Sequence, residues 1–359
     1  MKVCHSTTPQ GEKHTDEELT RQWNSIDWEK VRSDVNRLQA RIAKATQERK
    51  WNLVKRLSYL LTHSHSAKLL AVRIVTQNKG KRTPDVDGEL WTTASTKMRA
   101  ALRLTEKQYR AQPLRRVYIP KPGKTTKRPI SIPTMYDRAM QALYAQALQP
   151  IAETTADPRS FGFRLFRCAQ DASRYAFTCL MSQGSAPWIL EGDIKGCFDA
   201  IAHDWLRENI PMDRSVMTQF LKAGFVFETA LYPTDKGTPQ GGLISPLLAN
   251  MTLDGMEKIL AARLPKMNVH FVRYADDFLV TAPTKEIAEE ARDILREFLA
   301  ERGLELSEEK TVITHIDDGF DFLGYNFRKY KGTLLVKPSQ KSIKVISEKI
   351  AAIVRKAQA

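Results

Sequence analysis

Two adjacent acids, Asp276 and Asp277, follow Tyr274-Ala275 and lie between two apolar runs, Val269-His270-Phe271-Val272-Arg273 and Phe278-Leu279-Val280-Thr281-Ala282. Both runs are rich in β-branched and aromatic residues, so they predict a hairpin with the acids at its tip. Neighbouring carboxylates repel one another and lose hydration against a hydrophobic layer. They call for a cation, and acid oxygens are what magnesium prefers. Taken alone, the pair reads better as a polar hairpin turn. A third acid upstream has similar surroundings: Trp188-Ile189-Leu190-Glu191-Gly192-Asp193 is an apolar run ending on an acid, followed by Ile194-Lys195-Gly196-Cys197-Phe198-Asp199. It predicts a strand leading into a turn. If that strand lies beside the hairpin, Asp193 and Asp276 can face each other across two magnesium ions, which in such sites stand about 3.5–4 Å apart. One ion would lower the pKa of an attacking hydroxyl, and the other would hold a nucleotide triphosphate and stabilise the leaving oxygen. That chemistry is phosphoryl transfer.

The elements that must position these acids are mostly helices. From Trp28 onward Val31, Val35, Leu38, Ile42 and Ala45 recur at helical spacing, surrounded by Arg32, Arg37, Arg41, Lys44, Arg49 and Lys50, which predicts a basic amphipathic helix. Leu53, Val54, Leu57, Leu60 and Leu61 predict a second helix, and Leu69, Leu70, Val72 and Ile74 a third. The turn-rich segment 78–88 then breaks the pattern. Residues 1 to 20 are polar and are expected to be loose. Further helices are expected over 136–150, 171–181 and 286–301, the last stopped by Gly303. The order strand, helices, acidic hairpin, helix, strand gives an α+β class, with an antiparallel sheet backed by helices.

Composition adds bounds. The 359 residues suggest about two domains, and 42% hydrophobic residues suffice for a sizeable core. A formal charge of +15 points to a polyanionic partner, though charge alone would also suit a ribosomal or membrane-surface protein. Cysteines at 4, 168, 179 and 197 show neither metal-binding spacing nor a disulfide framework, as expected in a reducing cytoplasm. No apolar run is long enough to span a bilayer and no signal peptide is evident, so no membrane role is expected.

In order, the chain presents Arg115-Arg116-Val117-Tyr118-Ile119-Pro120-Lys121-Pro122, Arg128-Pro129-Ile130-Ser131-Ile132-Pro133-Thr134, Ser160-Phe161-Gly162-Phe163-Arg164 and the Asp193 strand. It continues with Lys236-Gly237-Thr238-Pro239-Gln240-Gly241-Gly242-Leu243-Ile244-Ser245-Pro246, the Tyr274 turn, Gly303-Leu304-Glu305-Leu306-Ser307-Glu308-Glu309-Lys310-Thr311 and Phe322-Leu323-Gly324-Tyr325. This series, over about residues 90 to 337, resembles the reverse transcriptases of the group II intron maturase family. The resemblance implies a right-hand polymerase. A basic helical extension would occupy 1–90, fingers 91–186, the palm with its catalytic sheet 187–337 and the start of a thumb 338–359.

It also implies roles. Asp193, Asp276 and Asp277 would be the catalytic metal ligands, joined by the carbonyl of Ile194, for two Mg2+ ions with Mn2+ as a substitute. Because adjacent residues of a strand point to opposite faces, Asp277 could instead support the site without touching metal. Phe198 resembles the aromatic residue beneath the incoming sugar, whose ring would exclude a 2′-hydroxyl; ordinary core packing is the alternative. Arg128 and Lys127, with Lys124 nearby, would contact the triphosphate of a dNTP. Gln240 would touch the substrate from a loop whose glycines admit close backbone approach, while Ser245-Pro246 could serve as a helix entry. Lys310 would approach the nucleotide phosphates, and 322–324 the primer end. Asp199 and His203 suit polar support better than metal binding.

The implied partners are an RNA template, a DNA primer and structured RNA, the intron itself, held by phosphate contacts from the N-terminal extension. After Lys337-Pro338 only one basic helix, roughly Gln340 to Lys356, is foreseen, where the family continues into a multi-helix thumb. A truncated form, a piece of a split protein, or a short relative that obtains its thumb from a partner or a homodimer would each show this, with weak grip on the primer and low processivity. The leading function is reverse transcription linked to intron splicing and mobility. Alternatives are a maturase-type splicing cofactor that binds intron RNA, a retron or defence-type reverse transcriptase, or an RNA-templated RNA polymerase.

Overall fold

A computed structural model describes residues 14–78, 80, 81, 83, 85–120 and 127–358, the last without its side chain. The expectations for residues 1–13, for Lys79, Arg82 and Pro84, and for Lys121, Pro122 and Lys124 fall outside them.

The N-terminal region is helical: Asp16–Asn24, Trp28–Gln47, Trp51–His63 and His65–Gln77, then Ala94–Arg103. The first of these begins inside the stretch expected to be loose. Thr15 caps it by accepting from Glu18 N, acids fill its first turn, where the helix dipole favours them, and Leu19 is buried. The side chain of Asp16 also meets Arg99. On Trp28–Gln47 the apolar stripe Val31, Val35, Ile42 and Ala45 is buried, whereas Arg32, Arg37, Arg41 and Lys44 are exposed, as are Arg49 and Lys50 just beyond it.

Met135–Thr155 is the central helix, with buried residues all around its circumference. It runs past the expected end at 150 with Pro150 inside it. Proline removes the N–H that would bond to the carbonyl four residues earlier. That carbonyl, on Gln146, instead accepts from Gln39 Nε2 of the N-terminal region at 2.8 Å, so the lost bond is replaced across the helix interface.

Three sheets among the described residues complete the fold. In the first, Lys127–Ile132 pairs with Leu114–Pro120, followed by Phe225–Phe227 and Ala230–Tyr232. The second is fully antiparallel, in the order His270–Tyr274, Asp277–Ala282, Trp188–Asp193, Val312–His315. The third contains Thr333–Pro338, Tyr325–Tyr330 and Phe320–Phe322. Strand alternation divides the second sheet between two cores. Leu190, Phe271, Phe278 and Val280 join the large core with Ile294 and Leu295 of the helix Lys285–Ala300. Ile189, Val272 and Leu279 pack in a smaller core with Phe320, Phe322 and Phe327, and with Ala176 and Leu180 of the helix Ala169–Leu180. The final helix, Gln340–Gln358, leaves Ile343, Ile346, Ile350 and Ile353 exposed.

Candidate active site at the acidic hairpin

The strands bring the acids together. Asp193 pairs directly with Asp277 across the Trp188–Asp193 and Asp277–Ala282 strands, and Tyr274 pairs with Asp277. Ala275 and Asp276 therefore form a two-residue turn, with Ala275 in the left-handed region at φ 58°. Cross-strand partners share a face, so Asp277 stands on the same side of the sheet as Asp193. It is not turned away to the opposite face.

The acids are crowded. Burial raises the Asp276 carboxyl above its ordinary range and Asp193 adds to the rise, while Lys310 and Arg128 oppose it. Desolvation likewise pushes Asp277 up to about 6, helped by the charges of Asp276 and Asp193 and by a hydrogen bond with Asp193 that favours the protonated acid. Asp277 is exposed overall, and the charges of Asp276 and Asp193 are the part of this cause that a cation can relieve. One cation is already there: Lys310 Nζ bonds Asp193 Oδ2 at 2.8 Å, and that bond is the main reason its own pKa is raised. The loop bearing Lys310 is tied to the same strand end. Ser307 N donates to Asp193 O and Lys195 N to Glu305 O, so these two bonds bypass the Ile194 carbonyl. Among the described residues no group of three or more His, Cys, Asp or Glu side chains forms a ready-made metal cage. The donors nevertheless suit a hard divalent cation: three carboxylates at one strand end, two of them with raised proton affinity and one already held by an ammonium group.

Beneath the turn lies a buttress that sequence reasoning missed. Arg273 is fully buried. Its Nη1 donates to Asn250 Oδ1 at 3.0 Å and to Ala275 O at 3.2 Å, and its Nη2 donates to Asp254 Oδ1 at 2.7 Å. Asn250 Nδ2 in turn donates to Gly162 O at 2.7 Å. A β-carbon on Gly162 would stand 2.3 Å from Ala275 N, so only glycine lets the 160–164 segment pass under the turn. Phe161 N and Arg273 N exchange bonds with Arg273 O and Arg159 O, both at 2.9 Å. A signal for Arg273 did exist: in the run 269–273 it shares strand parity with Phe271, so a charge stood where the pattern demanded an inward side chain.

The expected substrate residues gather around this centre with differing engagement. Arg128 and Lys127 lie exposed at the start of their strand, opposite Ile119 and Pro120, and the charge of Arg128 is felt at Asp276. Phe198 is half-buried against the core and meets Phe163 edge-on, with ring centroids 6.1 Å apart. The 237–242 loop presses on it: Thr238 N donates to Phe198 O at 2.6 Å. Within that loop Gln240 Nε2 donates to Asp199 Oδ2 at 2.9 Å, and Gln141 Oε1 accepts from Leu243 N at 2.7 Å. His203 is buried and its Nε2 lies 2.8 Å from Gly237 O, so Asp199 and His203 both brace the loop. Gly241 has φ 111°, and a β-carbon there would lie 2.7 Å from Ser131 O. The loop is thereby joined to the strand that carries Arg128.

Residues 119–327 match the family described as reverse transcriptase (RNA-dependent DNA polymerase). The chain belongs to the reverse transcriptase family. The N-terminal domain of reverse transcriptase matches residues 23–104, which accounts for the helical extension. Protein YkfC of Escherichia coli (strain K12) is 32% identical over 303 residues, covering 71% of this chain and 78% of YkfC. Group II intron-encoded protein LtrA of Lactococcus lactis subsp. cremoris is 32% identical over 299 residues, covering 64% of this chain and 49% of LtrA. Telomerase from Candida albicans, in complex with a TWJ fragment of telomeric RNA, shares the fold with a TM-score of 0.51 at 17% identity, covering 66% of this chain and 47% of the telomerase. This reverse transcriptase thus spans most of YkfC but about half of LtrA and of the telomerase.

Proposed function

We propose that this chain adds deoxynucleotides to a primer 3′-hydroxyl on an RNA template, using Asp193, Asp276 and Asp277 as its catalytic acids. The observation that carries this reading is the cross-strand pairing of Asp193 with Asp277, with Asp276 in the turn between paired strands, in a reverse transcriptase fold. Asp193, Asp276 and Asp277 would hold divalent magnesium, with the Ile194 carbonyl as a neutral donor. Magnesium in such sites activates the attacking hydroxyl and neutralises the leaving pyrophosphate. The chain's own groups do the rest. Arg128 and Lys127 bind the triphosphate from the neighbouring sheet, Arg128 as a planar fork and Lys127 as a point charge. Phe198 lies beneath the sugar, held by Phe163 and by the 237–242 loop. Gln240, braced by Asp199, faces the substrate. Lys310 can turn from Asp193 towards the phosphates, since four flexible methylenes carry its charge. The exposed basic residues of the N-terminal helices contact phosphates of a structured RNA, the group II intron RNA of relatives such as LtrA.

A second reading, assistance of intron splicing through RNA binding, draws on those basic helices and on relatives named maturase-like, one of them from Euglena gracilis at 26% identity. The two activities can coexist, and one variant separates them. Asp276→Ala is expected to abolish primer extension with magnesium while RNA affinity persists. Surviving synthesis would refute the site assignment.

A further inference from the structure

The loop 160–167 beside the catalytic turn exposes apolar surface that the fold does not use. Phe163 and Leu165 are each 55% exposed and Phe166 is 102% exposed. Both phenylalanines also have left-handed backbone, at φ 57° and 59°. A residue with a β-carbon is disfavoured there, and glycine, which has none, would relieve the conflict. Core packing can compensate for such strain, but a ring as exposed as Phe166 gains none from the described residues. Strain of this kind points to a partner outside it.

The loop is not free to move these rings aside. Arg164 pairs with Glu153 at 2.7 Å and donates to Asp157 O and Ser160 O at 2.9 and 3.0 Å. Arg167 donates to Pro158 O at 2.7 Å and to Ser160 O at 2.9 Å. Gly162 is wedged under Ala275, and Phe163 abuts Phe198. The apolar side chains are therefore presented from a fixed base at the edge of the candidate site. Around them Arg159, Arg167 and Arg174 supply positive charge, set against Glu153 and Asp171.

We propose that Phe166, with Leu165 and Phe163, forms a stacking platform for unpaired bases of the single-stranded template as it reaches the active site. The proposal rests on the polymerase reading above. Flat rings framed by arginines fit single-stranded nucleic acid, because every base offers a π-face and the cationic frame holds the backbone. Such a platform is indifferent to sequence, as a copying enzyme requires.

The test compares the full chain with Phe166→Gly, which removes the ring and frees the backbone. Two labelled oligonucleotides about 12 nucleotides long are titrated by fluorescence anisotropy, one oligouridine and one abasic. The expected result is oligouridine binding weaker by about fivefold to a hundredfold, the range for a lost base–aromatic stack. Abasic binding stays unchanged, and the melting temperature is equal or higher. Unchanged oligouridine affinity, an equal loss for the abasic strand, or dissociation of a self-associated species on loss of the ring would overturn the platform while leaving the polymerase reading intact. Failure of the parental protein to bind either strand would overturn both.

Discussion

Replacing Arg273 with methionine removes the guanidinium that bonds the catalytic turn from beneath. Arg273 is fully buried, and its bonds reach Asn250, Ala275 O and Asp254. Burial holds the Asp254 carboxyl up at about 6 even though Arg273 pulls it down. Arg273→Met leaves that acid buried without its partner, a loss worth about 3–5 kcal/mol. Unfolding entropy of about 2.1 cal/mol/K per residue amounts to roughly 0.75 kcal/mol/K for 359 residues, so the melting temperature should fall by about 4–7 °C. The sign of the pH dependence follows from the direction of the shift. A carboxyl whose folded pKa is raised binds more protons folded than unfolded between its ordinary value and about 6, so its contribution to stability falls as pH rises through that window. Without Arg273 that pKa climbs further. The destabilisation should therefore be largest near pH 8 and shrink near pH 5, where Asp254 can take a proton. Adding Asp254→Asn removes the orphaned charge and should restore most of the loss, while primer extension stays slow because Ala275 O still lacks its donor. Denaturant titrations at the two pH values and primer extension by the double variant decide the matter. Equal destabilisation at both pH values, or no recovery in the double variant, would refute the ion pair as the support of the turn.

Two further substitutions probe other parts of the site. Phe198→Val should raise ribonucleotide incorporation relative to deoxynucleotide by about tenfold or more, the scale of discrimination that a few carbons provide; an unchanged ratio would reduce Phe198 to core packing. Gly192→Ala would set a β-carbon 2.0 Å from Phe278 Cζ, on the residue paired with it across the strands. The clash should cost about 1–3 kcal/mol and suppress synthesis by parting Asp193 from Asp277, with partial recovery on adding Phe278→Leu. Thermal melts together with primer extension check both effects, and a fully active Gly192→Ala would show that the register tolerates what the geometry forbids.

The features legible in the sequence are those with local signals. The hairpin could be read because β-branched flanks and charged tip residues lie within fourteen positions of each other, and the Asp193 strand because its apolar run ends on an acid. Helices with a clean apolar stripe, such as Trp28–Gln47 and Lys285–Ala300, stand close to where periodicity puts them. What escaped depends on groups distant in sequence. Pro150 reads as a helix end because the residue that replaces its missing bond, Gln39, is over a hundred positions away. Strand alternation says nothing of Asp276, which lies in the turn, and only the register with Trp188–Asp193 shows that Asp277 shares a face with Asp193. By sequence Lys310 reads as a phosphate ligand; its bond to Asp193 spans 117 positions and needs the fold. The same holds for Arg273, whose purpose becomes clear only when Asn250, Asp254 and Ala275 are seen around it. Residues that could perform chemistry are marked by type, whereas residues that hold them in place are marked mainly by misfit: a charge at an inward position, a proline inside a helix, a phenylalanine where glycine belongs. Each such misfit carries a local cost, and in the first two a long-range contact offsets it. For Phe166 no contact among the described residues does so, and a bound strand would supply it.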